Sequence, residues 1–220
     1  MFLFSCKEKP IDSEPLQLKI EEETNLIQQK ARSIDIIDNN AEWLEITFEN
    51  SGIQLDIRYA TTKNFTNSKI YDCGKCYLRP EIANKLIQLN RYIEKKYRLR
   101  FKVFDCYRPR PAQQKLWDIV PNPIYVTPPE KGSMHNRGMA VDLTLVAQDG
   151  KELDMGTEYD YFGREAHTDF FGHSSTINAN RALLTDLMTS IGFTTIQSEW
   201  WHFSMRSPMH PFSDWEWSCE

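Results

Sequence analysis

The sequence predicts an α+β fold in which helices pack on a central antiparallel sheet. Three observations carry that expectation. Apolar residues recur at spacings of three and four through Ile82, Leu86, Leu89 and Ile93, and an amphipathic pattern returns at 180–190, so two helices each have a face to bury. Short runs at 43–48, 53–57, 100–104 and 139–145 are rich in β-branched and aromatic residues, with turn-forming residues between them. The run Glu199-Trp200-Trp201-His202-Phe203 also favours a strand, although Glu-x-x-His on a helix would likewise put both polar side chains on one face. With 220 residues, 40% hydrophobic and 26% charged, the chain can bury one sizeable core; a single domain over 41–220 is expected behind an N-terminal tail, 1–40. A net charge of -5, without a Lys/Arg stripe interleaved with aromatics, argues against a nucleic-acid partner. No apolar run is long enough to span a bilayer.

The tail begins Met1-Phe2-Leu3-Phe4-Ser5-Cys6, followed by a charged stretch. Leu3-Phe4-Ser5-Cys6 looks like a bacterial lipoprotein processing site, at which Cys6 would be lipidated and the protein held in the cell envelope or periplasm. If Cys6 is instead an ordinary thiol, the expected location is cytoplasmic. The apolar segment before Cys6 is shorter than the ~7–15 residues of a signal-peptide core. Residues 15–31 have a helix-compatible composition but little apolar face, as a solvated tether would.

The strands at 43–48 and 53–57 flank Asn50-Ser51-Gly52 and read as a hairpin. Cys73-Gly74-Lys75-Cys76 lacks the second Cys/His pair of a structural metal site and the βαβ setting of a dithiol oxidoreductase. With Cys106 and Cys219, these cysteines leave one or two disulfides open in an exported protein, with the partners undetermined. Pro80 suits the first turn of a helix over 79–95. The strand at 100–104 then delivers Asp105-Cys106-Tyr107-Arg108-Pro109 to its end. A short helix at 111–120 turns Leu116 and Trp117 inward. The Pro-rich loop 121–129 cannot join a sheet interior and is expected to wall one side of a cleft. On the strand at 139–145, Ala140, Asp142 and Thr144 share a face; Asp149-Gly150 then turns the chain back along 153–160. The helix at 180–190 stops at Gly192, and 193–197 forms the strand that leads to Glu199.

The chemistry lies in Ser133-Met134-His135-Asn136-Arg137-Gly138-Met139-Ala140-Val141-Asp142 and in Glu199-Trp200-Trp201-His202. His135, Asp142 and His202 are three good ligands for one zinc ion, and Glu199 remains free to handle protons; this combination reads as a zinc hydrolase. Strand alternation would turn Glu199 and His202 to opposite faces, so a bulge or twist is expected between them. His167 and His173 sit in a polar loop with no carboxylate placed to complete a separate site. His210 is incidental in the tail.

These blocks carry a resemblance. Ser133-x-His135-x6-Asp142, Met155-Gly156-Thr157-x-Tyr159-Asp160, Asn180-Arg181-x-Leu183-Leu184 and Glu199-Trp200-Trp201-His202, with Asp56-Ile57-Arg58-Tyr59 and Asp105-x-Tyr107-Arg108-Pro109 upstream, resemble the zinc-dependent D-alanyl-D-alanine dipeptidases of the VanX type. The likeness spans roughly residues 50–206 and implies a hedgehog/DD-peptidase-like fold. It implies that Arg108 stabilises the oxyanion of a tetrahedral intermediate, that Ser133 hydrogen-bonds the substrate, and that Tyr59 and Asp160 attend the dipeptide's ammonium group. Each has a plainer reading: a surface arginine beside a proline, a turn serine, a half-buried tyrosine, a capping aspartate.

The implied activity is hydrolysis of D-Ala-D-Ala to free D-alanine, with one zinc per chain and a small peptide as partner, in cell-wall precursor turnover or glycopeptide resistance. Glu199 would take the proton of the attacking water and pass it to the departing amine. A D,D-carboxypeptidase acting on longer stem peptides, or a non-catalytic peptidoglycan-binding lipoprotein, would use the same scaffold. Oligomeric state is not legible from the sequence.

Overall fold

The computed structural model describes residues 42–220. The expectations for the tail at 1–40, including the tether and lipidation of Cys6, lie outside the described residues.

The first strand, β1 (Leu44–Ile46), is followed by helix α1 (Phe48–Ser51) rather than by a hairpin turn. Thr47 and Asn50 cap each other reciprocally: Asn50 N–H donates to Thr47 Oγ1 at 3.3 Å, and Thr47 N–H donates to Asn50 Oδ1 at 3.1 Å. Gly52, at φ 71°, then ends the turn in the left-handed region. The two strands expected to pair therefore part company. β1 pairs antiparallel with β3 (Cys76–Leu78), while β2 (Gln54–Leu55) runs parallel to β4 (Leu99–Asp105).

Helix α2 (Pro80–Tyr97) starts on Pro80 and buries Ile82, Leu86, Leu89 and Ile93, the residues whose spacing foretold it. Lys95 and Lys96 lie in its last turn, at the negative end of the helix dipole. Helix α3 (Arg110–Ile119) buries Leu116 and packs Trp117 against the core. Helix α4 (Ser175–Ser190) begins earlier than the expected 180, because the Ser174 hydroxyl accepts the Ile177 N–H and supplies an N-cap. Lys85 of α2 donates to the Ile191 carbonyl at 3.1 Å, joining the two long helices where α4 ends.

The main sheet has the order β2-β4-β5-β7-β6, with β5 (Ala140–Ala147) central, β7 (Glu199–Ser204) beside it and β6 (Thr194–Ile196) at the edge. All neighbours are antiparallel except β2 and β4, so the mixed α+β architecture carries one parallel pair at its other edge. Past Asp149-Gly150 the chain makes only a single bridge, Val146 to Glu152, and 153–160 forms no returning strand. Seven of the eight residues of β5 are buried, so both faces of its strand are covered, and any polar residue on it must find a partner inside. The register supplies those partners: Asp105, Asp142 and His202 stand side by side across β4, β5 and β7.

Cys73 pairs with Cys219, and Cys76 with Cys106. The first bridge ties the C-terminal segment down, and the second joins β3 to the end of β4. Among the described residues no helix is long and apolar enough to cross a membrane.

Candidate active site

Separate elements each contribute one group to a single point. Asp142 comes from the middle of β5 and His202 from the facing position on β7. His135 comes from the 3-10 turn His135–Arg137, which Gly138 closes at φ 68° before the chain enters β5. A Cβ at Gly138 would strike the Trp43 ring, so a larger residue fails there on both backbone and packing grounds.

Three atoms form a tight triangle. His202 Nδ1 lies 3.0 Å from Asp142 Oδ1, His135 Nε2 lies 3.3 Å from the same oxygen, and the two nitrogens are 3.1 Å apart. All three residues are buried. His135 Nδ1–H donates outward to the Cys106 carbonyl at 2.6 Å, a group that can only accept, and this bond fixes the inward Nε2 as a lone pair. The donor set fits a divalent cation: ligands at about 2.0–2.1 Å in tetrahedral array stand about 3.3 Å from one another. Burial opposes the charged imidazole of His135, but the Asp142 carboxylate outweighs it and raises the pKa. Burial likewise opposes charge on Asp142, and the two imidazoles prevail, holding its carboxyl far below the usual range.

Glu199 stands beside this triangle, its Oε2 4.0 Å from His202 Nδ1. The strand alternation that would separate the two is broken where β6 and β7 slip register, with Ile196 opposite Glu199. Burial pushes the Glu199 carboxyl above the ordinary glutamate value.

Arg108 is rigidly mounted. Its Nε and Nη2 donate to Asp105 Oδ2 at 3.1 and 2.7 Å, and its Nη1 donates to Gln113 Oε1 at 2.9 Å. Tyr71 donates to the other oxygen of Asp105 at 2.8 Å, leaving that buried carboxylate fully occupied. Burial works against the guanidinium's charge, and Asp105 more than restores it.

These groups open on a cleft of about 390 Å³. Tyr59, Ser133 and Asp160 all line it. The Ser133 Oγ and Asp160 Oδ2 atoms are buried with no partner among the described residues, and the Tyr59 hydroxyl donates to Asp160 Oδ1 at 3.4 Å. Burial, then the charges of Asp142 and Glu199, raises the Asp160 carboxyl well above its usual value. The backbone at Asp160 has φ 62°, a left-handed conformation costly for a non-glycine residue and one that turns the chain at the cleft. The Pro-rich loop does wall the cleft, through Tyr125, Val126 and Thr127.

The structure also brings in residues the sequence reading passed over. Tyr159, met only as part of a motif, donates its hydroxyl to Asp142 Oδ2 at 3.1 Å. Asp105 and Gln113 hold Arg108, while Phe65, Phe162, Met209 and Phe212 complete the cleft wall. Their only sequence signal was proximity to a motif or to a loop. His167 and His173 do not line the cleft; His173 Nε2 instead bonds the Glu165 carbonyl at 2.9 Å. His210 pairs with Glu81 on α2.

An α+β scaffold that focuses two imidazoles and three carboxylates on one cleft, with an arginine fixed beside them, has the make-up of a metallopeptidase. The comparisons agree and are more specific. The D-ala-D-ala dipeptidase family, Peptidase_M15, matches residues 40–214, and the chain belongs to that metal-dependent family of peptidases. It is 34% identical to the D-alanyl-D-alanine dipeptidase of Escherichia coli K12 over 168 residues, covering 76% of this chain and 86% of the relative. It is 30% identical to the D-alanyl-D-alanine dipeptidase of Enterococcus faecium, over 74% of this chain and 90% of that one. The Streptomyces coelicolor enzyme of the same name is also 30% identical, over 73% and 90%.

Proposed function

We propose that the chain is a zinc-dependent dipeptidase that hydrolyses free D-Ala-D-Ala to two molecules of D-alanine, with His135, Asp142 and His202 as the metal ligands. The observation that carries the reading is Asp160. A buried carboxylate with one unpartnered oxygen, lining the same cleft as the His-Asp-His triangle, is suited to a substrate's free ammonium. A peptide blocked at that end would leave Asp160 unpaired and desolvated, which favours a dipeptidase over a carboxypeptidase acting on longer chains.

A divalent ion held by the three ligands would supply Lewis acidity, polarising a peptide carbonyl and making a water molecule acidic enough to attack near neutral pH. The remaining work belongs to the protein. Glu199 removes a proton from the attacking water as the oxygen–carbon bond forms. It then delivers that proton to the amide nitrogen as the carbon–nitrogen bond breaks, releasing one D-alanine as amine and the other as acid. Arg108, immobilised by Asp105 and Gln113, faces the charge that develops on the carbonyl oxygen without reorganising. Ser133 and Tyr59 orient the dipeptide, the first through its free hydroxyl and the second through Asp160.

Removing this dipeptide would draw on the pool used for cell-wall precursors, in turnover or in glycopeptide resistance. The two disulfides support a location in an oxidising compartment, which fits lipidation at Cys6 and attachment to the envelope.

Metal analysis combined with turnover of free D-Ala-D-Ala and of its N-acetyl derivative tests the reading. The expected result is zinc bound near one per chain, with hydrolysis confined to the free dipeptide. Comparable hydrolysis of the blocked substrate would overturn the dipeptidase reading, and zinc bound without any hydrolysis would point to a binding module.

A further inference from the structure

We infer that Asn136 is a positioning residue that locks Arg108 and Ser133 to the turn carrying His135, so that the arginine keeps a fixed place relative to the candidate metal ligands. The inference rests on the roles proposed above for Arg108 and Ser133. Asn136 is 0% exposed and follows His135 in the 3-10 turn His135–Arg137. Its side chain is used at both ends: Nδ2 donates to the Arg108 carbonyl at 2.8 Å, and Oδ1 accepts the Ser133 N–H at 2.7 Å. The backbone completes both links. Arg108 N–H donates to the His135 carbonyl at 3.1 Å, and Asn136 N–H donates to the Ser133 carbonyl at 3.1 Å. Arg108 and Ser133 are therefore each held at their N–H and at their C=O by the pair His135 and Asn136. The carbonyl of Asn136 accepts the Ser213 N–H at 2.9 Å, so all four polar groups of this residue are engaged.

The chemistry of the partners dictates the residue. The Arg108 carbonyl can only accept and the Ser133 N–H can only donate, so the bridging side chain must present one donor and one acceptor in a single orientation, as a neutral amide does. The bond from Ser133 spans three residues and is of the kind a turn asparagine makes with no site nearby. The bond to Arg108 is different. It crosses 28 residues and joins the segment after β4 to the turn before β5, which the local turn does not require.

Asp105 and Gln113 orient the guanidinium, while Asn136 sets where Arg108 stands relative to His135. A group that acts on charge developing in the transition state loses its effect steeply with displacement: a misplacement of about 1 Å costs about 100-fold. His135 itself is oriented separately, by the Cys106 carbonyl, so loss of the amide should disturb the arginine more than the metal ligand.

The test measures kcat and KM for D-Ala-D-Ala, melting temperature, and metal affinity by chelator competition. Wild type is compared with Asn136→Ala, Asn136→Asp, Arg108→Lys and the double variant Asn136→Ala/Arg108→Lys. Asn136→Ala should lower kcat about 100-fold, with metal affinity close to that of wild type. Asn136→Asp keeps the acceptor for Ser133 but sets a carboxylate oxygen against the Arg108 carbonyl, so kcat should fall with little change in KM. Being isosteric, it also carries the test if Asn136→Ala does not fold. Arg108→Lys already forfeits the placement that Asn136 provides, so the double variant should lie within about threefold of Arg108→Lys alone. Near-normal kcat in the folded, metal-loaded variants would overturn the inference, as would losses that multiply in full in the double variant or a fall in metal affinity large enough to account for the fall in kcat. A wild type that leaves the dipeptide intact would instead overturn the functional reading beneath it.

Discussion

The Tyr159 hydroxyl donates to Asp142 Oδ2 at 3.1 Å, and this leaves Asp142 Oδ1 turned toward His135 and His202. One carboxylate thus divides its oxygens between a buried tyrosine and the triangle of candidate ligands. The ring is itself held by Phe104, at 4.8 Å, and Trp201, at 5.3 Å. Tyr159→Phe keeps the ring and frees Asp142 to rotate. Metal affinity, measured by chelator competition, should fall about 10- to 100-fold, the usual effect of losing a partner that orients a ligand. Unchanged affinity would make Tyr159 a packing residue only.

Glu199 has a different relationship to the candidate ligands, being close to His202 but outside the triangle. Glu199→Gln preserves shape and removes the proton acceptor. Metal content should stay at the wild-type level while kcat drops by about 10²–10⁴. Near-normal turnover in the metal-loaded variant would remove Glu199 from the chemistry.

Much of this was legible in the sequence because it depends on local spacing. The helix beginning at Pro80 announces itself through Ile82, Leu86, Leu89 and Ile93, and the strands through Asp142 and His202 follow from composition. Thr47 and Asn50 misled because a residue pair that caps a helical turn has the same composition as a hairpin loop, and only backbone geometry separates the two. Cysteine pairing was out of reach for another reason: Cys73 and Cys219 are 146 residues apart, and only the closed fold brings them together. Tyr159, Phe65 and Phe162 escaped notice likewise, since an aromatic in a loop gives no periodic signal of what it faces.

Arg108 cannot be replaced by another cation without loss. Asp105 takes two of its N–H groups through a single oxygen while Gln113 takes a third, and a lysine ammonium cannot reproduce that fork. Arg108→Lys should lower kcat for the dipeptide about 10²–10³-fold with a much smaller change in KM. A rise in KM alone would assign Arg108 to ground-state binding instead.

Asp160 sets stability against binding. Because burial raises its carboxyl pKa in the folded state, the contribution of this group to stability is fully present below the unfolded value of about 3.9 and is lost as pH rises through the folded one. Asp160→Asn removes that titration. The variant should therefore melt above wild type at about pH 8, with the gap closing toward about pH 4, while KM for the free dipeptide rises about tenfold or more. A variant that melts lower at every pH would mean that the bond from Tyr59 to the carboxylate outweighs the cost of burying it.

The C-terminal segment joins stability to the cleft. Trp215 and Trp217 cover Tyr77 and Tyr107, Tyr107 donates to the Trp215 carbonyl at 2.7 Å, and Arg110 pairs with Asp214. Upstream, the Ser213 N–H donates to the Asn136 carbonyl at 2.9 Å, beside His135, and Phe212 and Met209 line the cleft itself. The Cys73–Cys219 bridge fastens the end of this segment, closing a loop across most of the described chain. A bridge of such span constrains the unfolded chain strongly, so Cys219→Ser should cost about 2–4 kcal/mol in denaturant unfolding. Because the freed segment borders the cleft, KM should rise as well. Lost stability with KM unchanged would confine the bridge to a structural role and detach Phe212 and Met209 from substrate binding.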